Sequence, residues 1–401
     1  MNIVFFAHPS FMVSQSMPRF TKMLSKGMKE RGHTIEIWAP IARFSHLNVP
    51  AFYRKWLSYI DSYILFPQEI RKRLTQCSSD TLFVITDNAL GPWIPLISNR
   101  PHVIHCHDFL AQRSALGEIP ENPTSWTGQH YQAFIRRGFS QGHNFISISA
   151  TTQHDLHRML EREPAISKIV YNGLVDAFAP ATNIPKQRHE LQRELAINLS
   201  DGFLLHVGGN QWYKNREGII RLYSAWRASS TRQLPLLLAG EAPSESVLRT
   251  YRQSNAKEEI HFLTGATDIL IKKLYQSASL LLFPSLAEGF GWPIIEAMAS
   301  GCPVITTDEA PMTEVSGQAA FQIPRLTSEE NAKDWAANAA GVINQVLGLS
   351  TIERNEVIAA GLLNAQRFDS AAHLDRIEQI YQTILNNYSL TDRVGLTALN
   401  D

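Results

Sequence analysis

The chain has 401 residues, enough for roughly two to three domains of ordinary size. Lys and Arg total 37 and Asp and Glu total 37, so the formal net charge is zero, which excludes a broadly basic nucleic-acid binder. Apolar residues at 44% and charged residues at 18% exclude a disordered chain, and three cysteines with no CxxC pair (Cys77, Cys106, Cys302) exclude a disulfide framework or a zinc cage.

In chain order, residues 3–7 read as a strand, 17–31 as a helix stopped by Gly32, and 34–39 as a second strand. Strand–helix–strand is the opening of a parallel α/β sheet. Further strands are expected over 81–86, 103–106, 144–149 and 168–171, together one doubly wound domain. Residues 43–73 mix Tyr53, Trp56, Tyr59, Tyr63 and Phe66 with Arg54, Lys55, Arg71, Lys72 and Arg73. Helical spacing of those aromatics favours two helices packed into the core, and the basic–aromatic mixture leaves peripheral membrane contact open.

Residues 172–186 carry Asn172-Gly173, Pro180 and Pro185 without a sustained period and read as a break. A second alternating series follows, with strands over 203–207, 236–239, 261–263, 280–283, 304–306 and 320–323. Helices over 215–229, 268–277 and 293–300 separate several of them, and 370–387 reads as one more amphipathic helix. No apolar run is long enough to span a bilayer, and the start MNIVFFAHPS lacks the basic region of a signal peptide, so the expected location is the cytoplasm.

Neither half carries GxGxxG after its first strand, which argues against a dehydrogenase, and no Walker A, DxD or HExxH motif is present. The richest chemistry lies in PSLAEGFGWPIIEAMASGCPVI, residues 284–305. A strand runs into a loop bearing Glu288, Gly289, Phe290 and Gly291. Pro293 suits the first turn of a helix, and Gly301 suits its stop. A helix start facing a glycine loop is an anion site, because its amides lack intrahelical partners and the macrodipole adds positive charge. Glu296, in the first turn or so of that helix, can accept hydrogen bonds from a diol such as a ribose.

The Glu288–Glu296 segment resembles the E-x7-E signature of retaining glycosyltransferases of family 4. That resemblance implies the α/β GT-B architecture, two facing Rossmann-like domains, with a C-terminal helix returning to the first. The N-terminal, acceptor-side domain would span 1–180 plus the helix 370–388, and the nucleotide-sugar domain 181–369. Glu288 is then expected on the donor sugar, Glu296 on the ribose hydroxyls, and the Gly289, Phe290 and Gly291 stretch beside the sugar and diphosphate. In LLHVGGNQWYKNREGII, residues 204–220, Lys214 matches the family lysine on the diphosphate, carried on the helix after a glycine turn. Gly209 stands where the family usually has arginine, with Arg216 as a replacement charge.

In PHVIHCHDFLAQ, residues 101–112, His107 matches a histidine that in the family faces the donor sugar. A metal site from His105, Cys106, His107 and Asp108 is disfavoured, since strand alternation turns Cys106 away from both histidines. After the first strand the family's Gly-Gly pair is missing, and Ser14 and Gln15 are the substitute donors on the acceptor side. The expected reaction is metal-independent front-face transfer from a nucleotide-diphosphate sugar to a saccharide, lipid-linked or other hydroxyl acceptor. The leaving phosphate helps to deprotonate the acceptor, and no protein base or cofactor is assigned. A glycogen-synthase-like polymerase, a phosphorylase (which would need a pyridoxal lysine) and a non-catalytic sugar-nucleotide-binding or scaffold protein of the same fold are the alternatives.

Overall fold

The computed structural model describes residues 1–11, 16–174, 178–328 and 331–397. The chain divides into two compact units, one of Met1–Gly173 with Ser370–Asp401, the other of Leu174–Asp369.

The first unit is built on six parallel strands: β1 (Asn2–Phe6), β2 (Thr34–Trp38), β3 (Leu82–Ile85), β4 (His102–Cys106), β5 (Asn144–Ser147) and β6 (Ile166–Ile169). Their order is β2-β1-β3-β4-β5-β6, so the chain reverses direction across the sheet between β1 and β3. Four of the six strands are expected from the sequence to within about a residue at each end. The expected β5 overruns the observed one by two residues, and β6 lies earlier than the expected 168–171 because Asn144 to Ser147 of β5 pair with Ile166 to Ile169. Strands buried on both faces read as continuous apolar runs. Ile3 and Phe5 enter one core with Phe20, Leu24 and Met28, while Val4 and Phe6 enter the other with Trp38, Phe66, Phe83 and Trp93.

The helix Ser370–Thr397, longer than expected, covers the first of these cores with Leu374, Ile377 and Tyr381. Polar contacts fix its position: Arg31 pairs with Asp375 at 2.6 Å, His33 with Glu378 at 2.8 Å, and His105 with the Tyr381 hydroxyl at 2.7 Å.

The segment 43–73 corrects the expectation that its aromatics fill the core. Residues 51–74 form one helical run, interrupted by a π-turn over Asp61–Leu65. The wide turn frees the Ser62 carbonyl to accept from the Trp93 indole at 3.0 Å. Asp61 is buried there and accepts the amides of Arg43, Phe44 and Ser45 at 2.9–3.1 Å, tying that loop to the helix. Phe66 is core, but Tyr53 and Trp56 are 58% and 52% exposed.

The second unit repeats the plan with β7 (Leu204–Val207), β8 (Leu236–Gly240), β9 (Ile260–Thr264), β10 (Leu280–Phe283), β11 (Val304–Thr307) and β12 (Phe321–Ile323). The order is β12-β11-β10-β7-β8-β9, all parallel, with the reversal between β7 and β10. The helices Arg216–Ser229 and Ala332–Leu347 pack on one face, where the buried Trp226 donates to Asn344 at 2.8 Å. Open α/β sheets bind ligands at the carboxyl ends of the strands flanking such a reversal, because the two connecting helices diverge there and leave a crevice.

Candidate functional site

In the second unit the reversal brings together the loops after β7 and β10, and with them Lys214 and Glu288. Lys214 Nζ bonds both carboxylate oxygens of Glu288, at 2.7 and 3.0 Å. The ammonium also lies 5.1 Å from the Phe283 ring centroid and 5.3 Å from that of Tyr213. Lys214 is expected from the sequence on a helix. It instead ends a 3-10 turn, Trp212–Lys214, because Asn215 takes a left-handed conformation and starts the helix itself. The Asn215 side chain accepts the Gly218 amide at 3.2 Å and donates to the Pro284 carbonyl at 2.9 Å, locking the two loops together. The Leu286 amide donating to Tyr213 O at 2.8 Å adds a second tie. From the far side, Thr307 holds the Ser285 carbonyl at 2.7 Å and Arg325 the Leu286 carbonyl at 2.8 Å. The Lys214–Glu288 pair is therefore preorganised on a pinned loop, and Glu288 is buried rather than at an open loop mouth.

Glu296 lies beyond the first turn of the helix Trp292–Ala299, one step further in than expected, and accepts the Tyr275 hydroxyl at 2.9 Å. Gly291 caps that helix at φ 107° with no side-chain cap, a backbone state that favours glycine. Pro293 has no amide hydrogen, and the Ile294 amide turns back to the Gly291 carbonyl at 3.0 Å. The Phe290 side chain, expected among the donor-binding groups, is instead core, edge-on against Trp292 and Phe368.

Arg216 is buried over the Phe262 ring, with Nη1 donating to Asn210 at 2.6 Å and to the Glu241 carbonyl at 3.0 Å. Both Arg216 and Lys214 act on His206, a fully buried imidazole that sequence reasoning missed because it reads as a plain strand position. Burial, with those two cations, pulls the His206 pKa down to about 3, against the opposing effect of its bond to Leu282. The ring is neutral, donates from Nδ1 to the Leu282 carbonyl at 3.0 Å, and leaves Nε2 without a partner.

In the first unit His107 is buried, donates from Nε2 to the Thr86 carbonyl at 2.9 Å, and stands edge-on to Phe20 at 4.4 Å. Cys106 enters the opposite core, as strand alternation requires. Ser14 and Gln15 lie outside the described residues. Sequence reasoning also missed His8 and Asp87, which pair at 2.8 Å although they are 79 residues apart. Among the described residues no group of three His, Cys, Asp or Glu side chains could hold a metal ion.

Two family models match, one on each unit: Glycosyltransferase Family 4 over residues 17–177 and Glycosyl transferases group 1 over residues 187–360. Among curated proteins, the chain is 25% identical over 181 residues to the lipopolysaccharide glucosyltransferase WaaG of Escherichia coli K12, covering 45% of this chain and 48% of that one. It is 30% identical over 169 residues to the O-antigen chain mannosyltransferase B of Escherichia coli, covering 42% of each. The matched segments thus span less than half of either relative. Among solved structures, Anabaena Alr3699/HepE in complex with UDP and glucose superposes with TM-score 0.70 at 16% identity, covering 96% of this chain and 100% of that one. The fold is accordingly GT-B. With a matching model on each unit and the E-x7-E acids on the pinned loop and its helix, the chain belongs to the family 4, group 1 glycosyltransferases.

Proposed function

We propose that this protein is a glycosyltransferase that takes a sugar from a nucleoside-diphosphate donor and transfers it, with retention of anomeric configuration and without a metal ion, to a hydroxyl acceptor on a saccharide or lipid-linked glycan. The observation that carries the reading is the Lys214–Glu288 pair at the strand reversal of the second unit, with Glu296 on the adjoining helix. Lys214 serves the donor diphosphate, whose charge grows as the glycosidic bond breaks, and the helix entry at Gly289–Gly291 adds fixed dipoles there. Glu288 reads the sugar and Glu296 the ribose. His107 is assigned to the donor sugar, and Ser14 and Gln15 to the acceptor side. Arg216 supports the phosphate region through the field it shares with Lys214 at His206. The named substrates of the relatives, a lipopolysaccharide and an O-antigen chain, support a glycan acceptor.

The test is nucleoside-diphosphate release from UDP-glucose, GDP-mannose and similar donors in EDTA, with the product's anomeric configuration read by NMR. Release with an α-linked product from an α-linked donor is expected; donor binding without release would identify a binding protein instead.

The exposed Tyr53, Trp56 and Ile64, close in sequence to Arg54, Lys55, Arg71 and Lys72, support peripheral contact with an anionic membrane. No helix among the described residues is long and apolar enough to cross one. Co-sedimentation with phosphatidylglycerol vesicles at low salt, lost in Tyr53→Ser/Trp56→Ser, is the expected result; failure of the unaltered protein to sediment removes the contact.

A further inference from the structure

The carboxyl ends of the second sheet carry the Lys214–Glu288 pair; its amino ends carry two arginines that the donor site leaves unused. Gly202, Ser279 and Cys302 precede β7, β10 and β11. These strands run parallel, so this end lies opposite the crevice of Lys214 and Glu288. Arg188 reaches it from the helix Ile184–Leu195 and Arg354 from the helix Thr351–Ala365. Arg188 Nε donates to the Ser277 carbonyl at 2.9 Å and its Nη2 to Ser279 Oγ at 3.2 Å. Arg354 Nη2 donates to the Ser279 carbonyl at 2.8 Å. Both guanidinium groups are thereby fixed on the same residue.

Among the described residues neither arginine forms an ion pair, whereas the similarly half-buried Arg31, Arg113 and Arg227 each meet a carboxylate. Glu353, beside Arg354 in sequence, instead accepts the Ser350 amide at 2.8 Å as part of its helix cap. Burial lowers the pKa of both guanidinium groups, and the charge of Arg354 lowers that of Arg188 further. Cys302 faces the pair as a neutral thiol, its own pKa pushed up to about 12 by burial, so it supplies no counter-charge. Asp201 opposes the shift of Arg188, but it is exposed and makes no ion pair with it. Two like charges held together away from water without a partner are costly, and an anion relieves that cost. Open donors remain for one. Nη1 of Arg188, and Nε and Nη1 of Arg354, have no bond to the described residues and reach solvent, while the unbonded nitrogens of Arg216 are sealed in.

We propose that Arg188 and Arg354 form a binding site for a phosphate group, either the free ion or the monoester of a small molecule, at the end of the second sheet away from the donor crevice. A tetrahedral dianion suits two guanidinium groups, because each planar fork can offer it parallel N–H bonds and its two charges neutralise both cations. The site uses none of the donor-binding residues and lies wholly within the second unit, so it stands independently of the transferase reading.

The experiment titrates the full chain with inorganic phosphate and with glycerol 3-phosphate, at constant ionic strength in a phosphate-free buffer, by calorimetry and by thermal melting. Both should bind the unaltered protein and raise its Tm. Phosphate binding as tight as that of the ester assigns the free ion, and tighter ester binding assigns a phosphomonoester. Arg188→Gln and Arg354→Gln should each weaken phosphate binding about tenfold or more. Lys214→Met, at the other end of the sheet, should leave it within about threefold. Without phosphate, Arg354→Gln should melt no lower than the unaltered protein, since it removes a like-charge contact; with phosphate it should melt lower. A second measurement requires no variant: phosphate should protect Arg188 and Arg354 from phenylglyoxal, read by mass spectrometry. The proposal is overturned if the unaltered protein binds neither ligand, or if binding is lost in Lys214→Met and kept in both arginine variants. Equal modification of the two arginines with and without phosphate overturns it as well.

Discussion

Glu288→Gln should tighten the binding of a bare nucleoside diphosphate while lowering turnover of the full donor. Lys214 is already engaged, its ammonium 2.7 Å from one Glu288 oxygen and 3.0 Å from the other. At an effective dielectric of about 20, a unit pair at that separation attracts by about 6 kcal/mol. Desolvation of two largely buried ions offsets most of it, leaving a net pairing on the order of 1–2 kcal/mol. A diphosphate must draw Lys214 away from this partner and also approach the negative carboxylate. Glutamine keeps the shape, removes the charge and releases the ammonium, so UDP or GDP should bind about tenfold more tightly, worth ~1.4 kcal/mol. Lys214→Met should do the reverse, weakening binding about ten- to a hundredfold and leaving Glu288 buried without its counter-ion. Isothermal titration with UDP and GDP on both variants and the double variant reads the coupling. Unchanged or weaker diphosphate binding in Glu288→Gln would refute the reasoning, since it would mean that Lys214 is not the group the phosphate recruits.

Glu296→Ala should weaken nucleotide binding, and Tyr275→Phe, which strips Glu296 of its 2.9 Å hydroxyl donor, should cost about 1–2 kcal/mol in thermal unfolding. Gly240→Ala should destabilise by about 2 kcal/mol or more, because φ is +150° and a Cβ would meet the Gly208 carbonyl; chemical denaturation measures it. Burial lowers His102 and His373 to about 4 and His206 to about 3. The unfolded chain protonates these rings near 6.5. Their contribution to stability is complete above that pH and is lost as pH falls toward the folded values, at up to about 1.4 kcal/mol per pH unit for each ring. The melting temperature should therefore drop steadily from pH 7 to pH 4.5, and less steeply in His373→Gln; a flat profile would show these rings to be accessible.

The alternation of short apolar runs with amphipathic stretches placed the twelve strands of the described residues, most plainly the central ones such as Leu82–Ile85 and Leu280–Phe283, which are buried on both faces and so read as continuous apolar runs. Glu288 and Glu296 were legible through their spacing around a glycine loop and a proline-started helix. The inward turn of Phe290 was not, since an aromatic in a loop reads the same whether it faces a ligand or the Phe368 ring. Trp56 followed helical spacing yet stands exposed, because the π-turn after it changes which side of the helical run meets the core.

By itself, then, the sequence determined two parallel α/β units, the acids at 288 and 296 and the lysine at 214, all of them encoded in local pattern. Tertiary structure decided which charges meet. Lys214 finds Glu288 across 74 residues, and His8 finds Asp87 across 79. Each pair forms only because a strand reversal sets two sequence-distant strands side by side, and strand order is fixed by the packing of whole helices on whole sheets rather than by any segment's own residues.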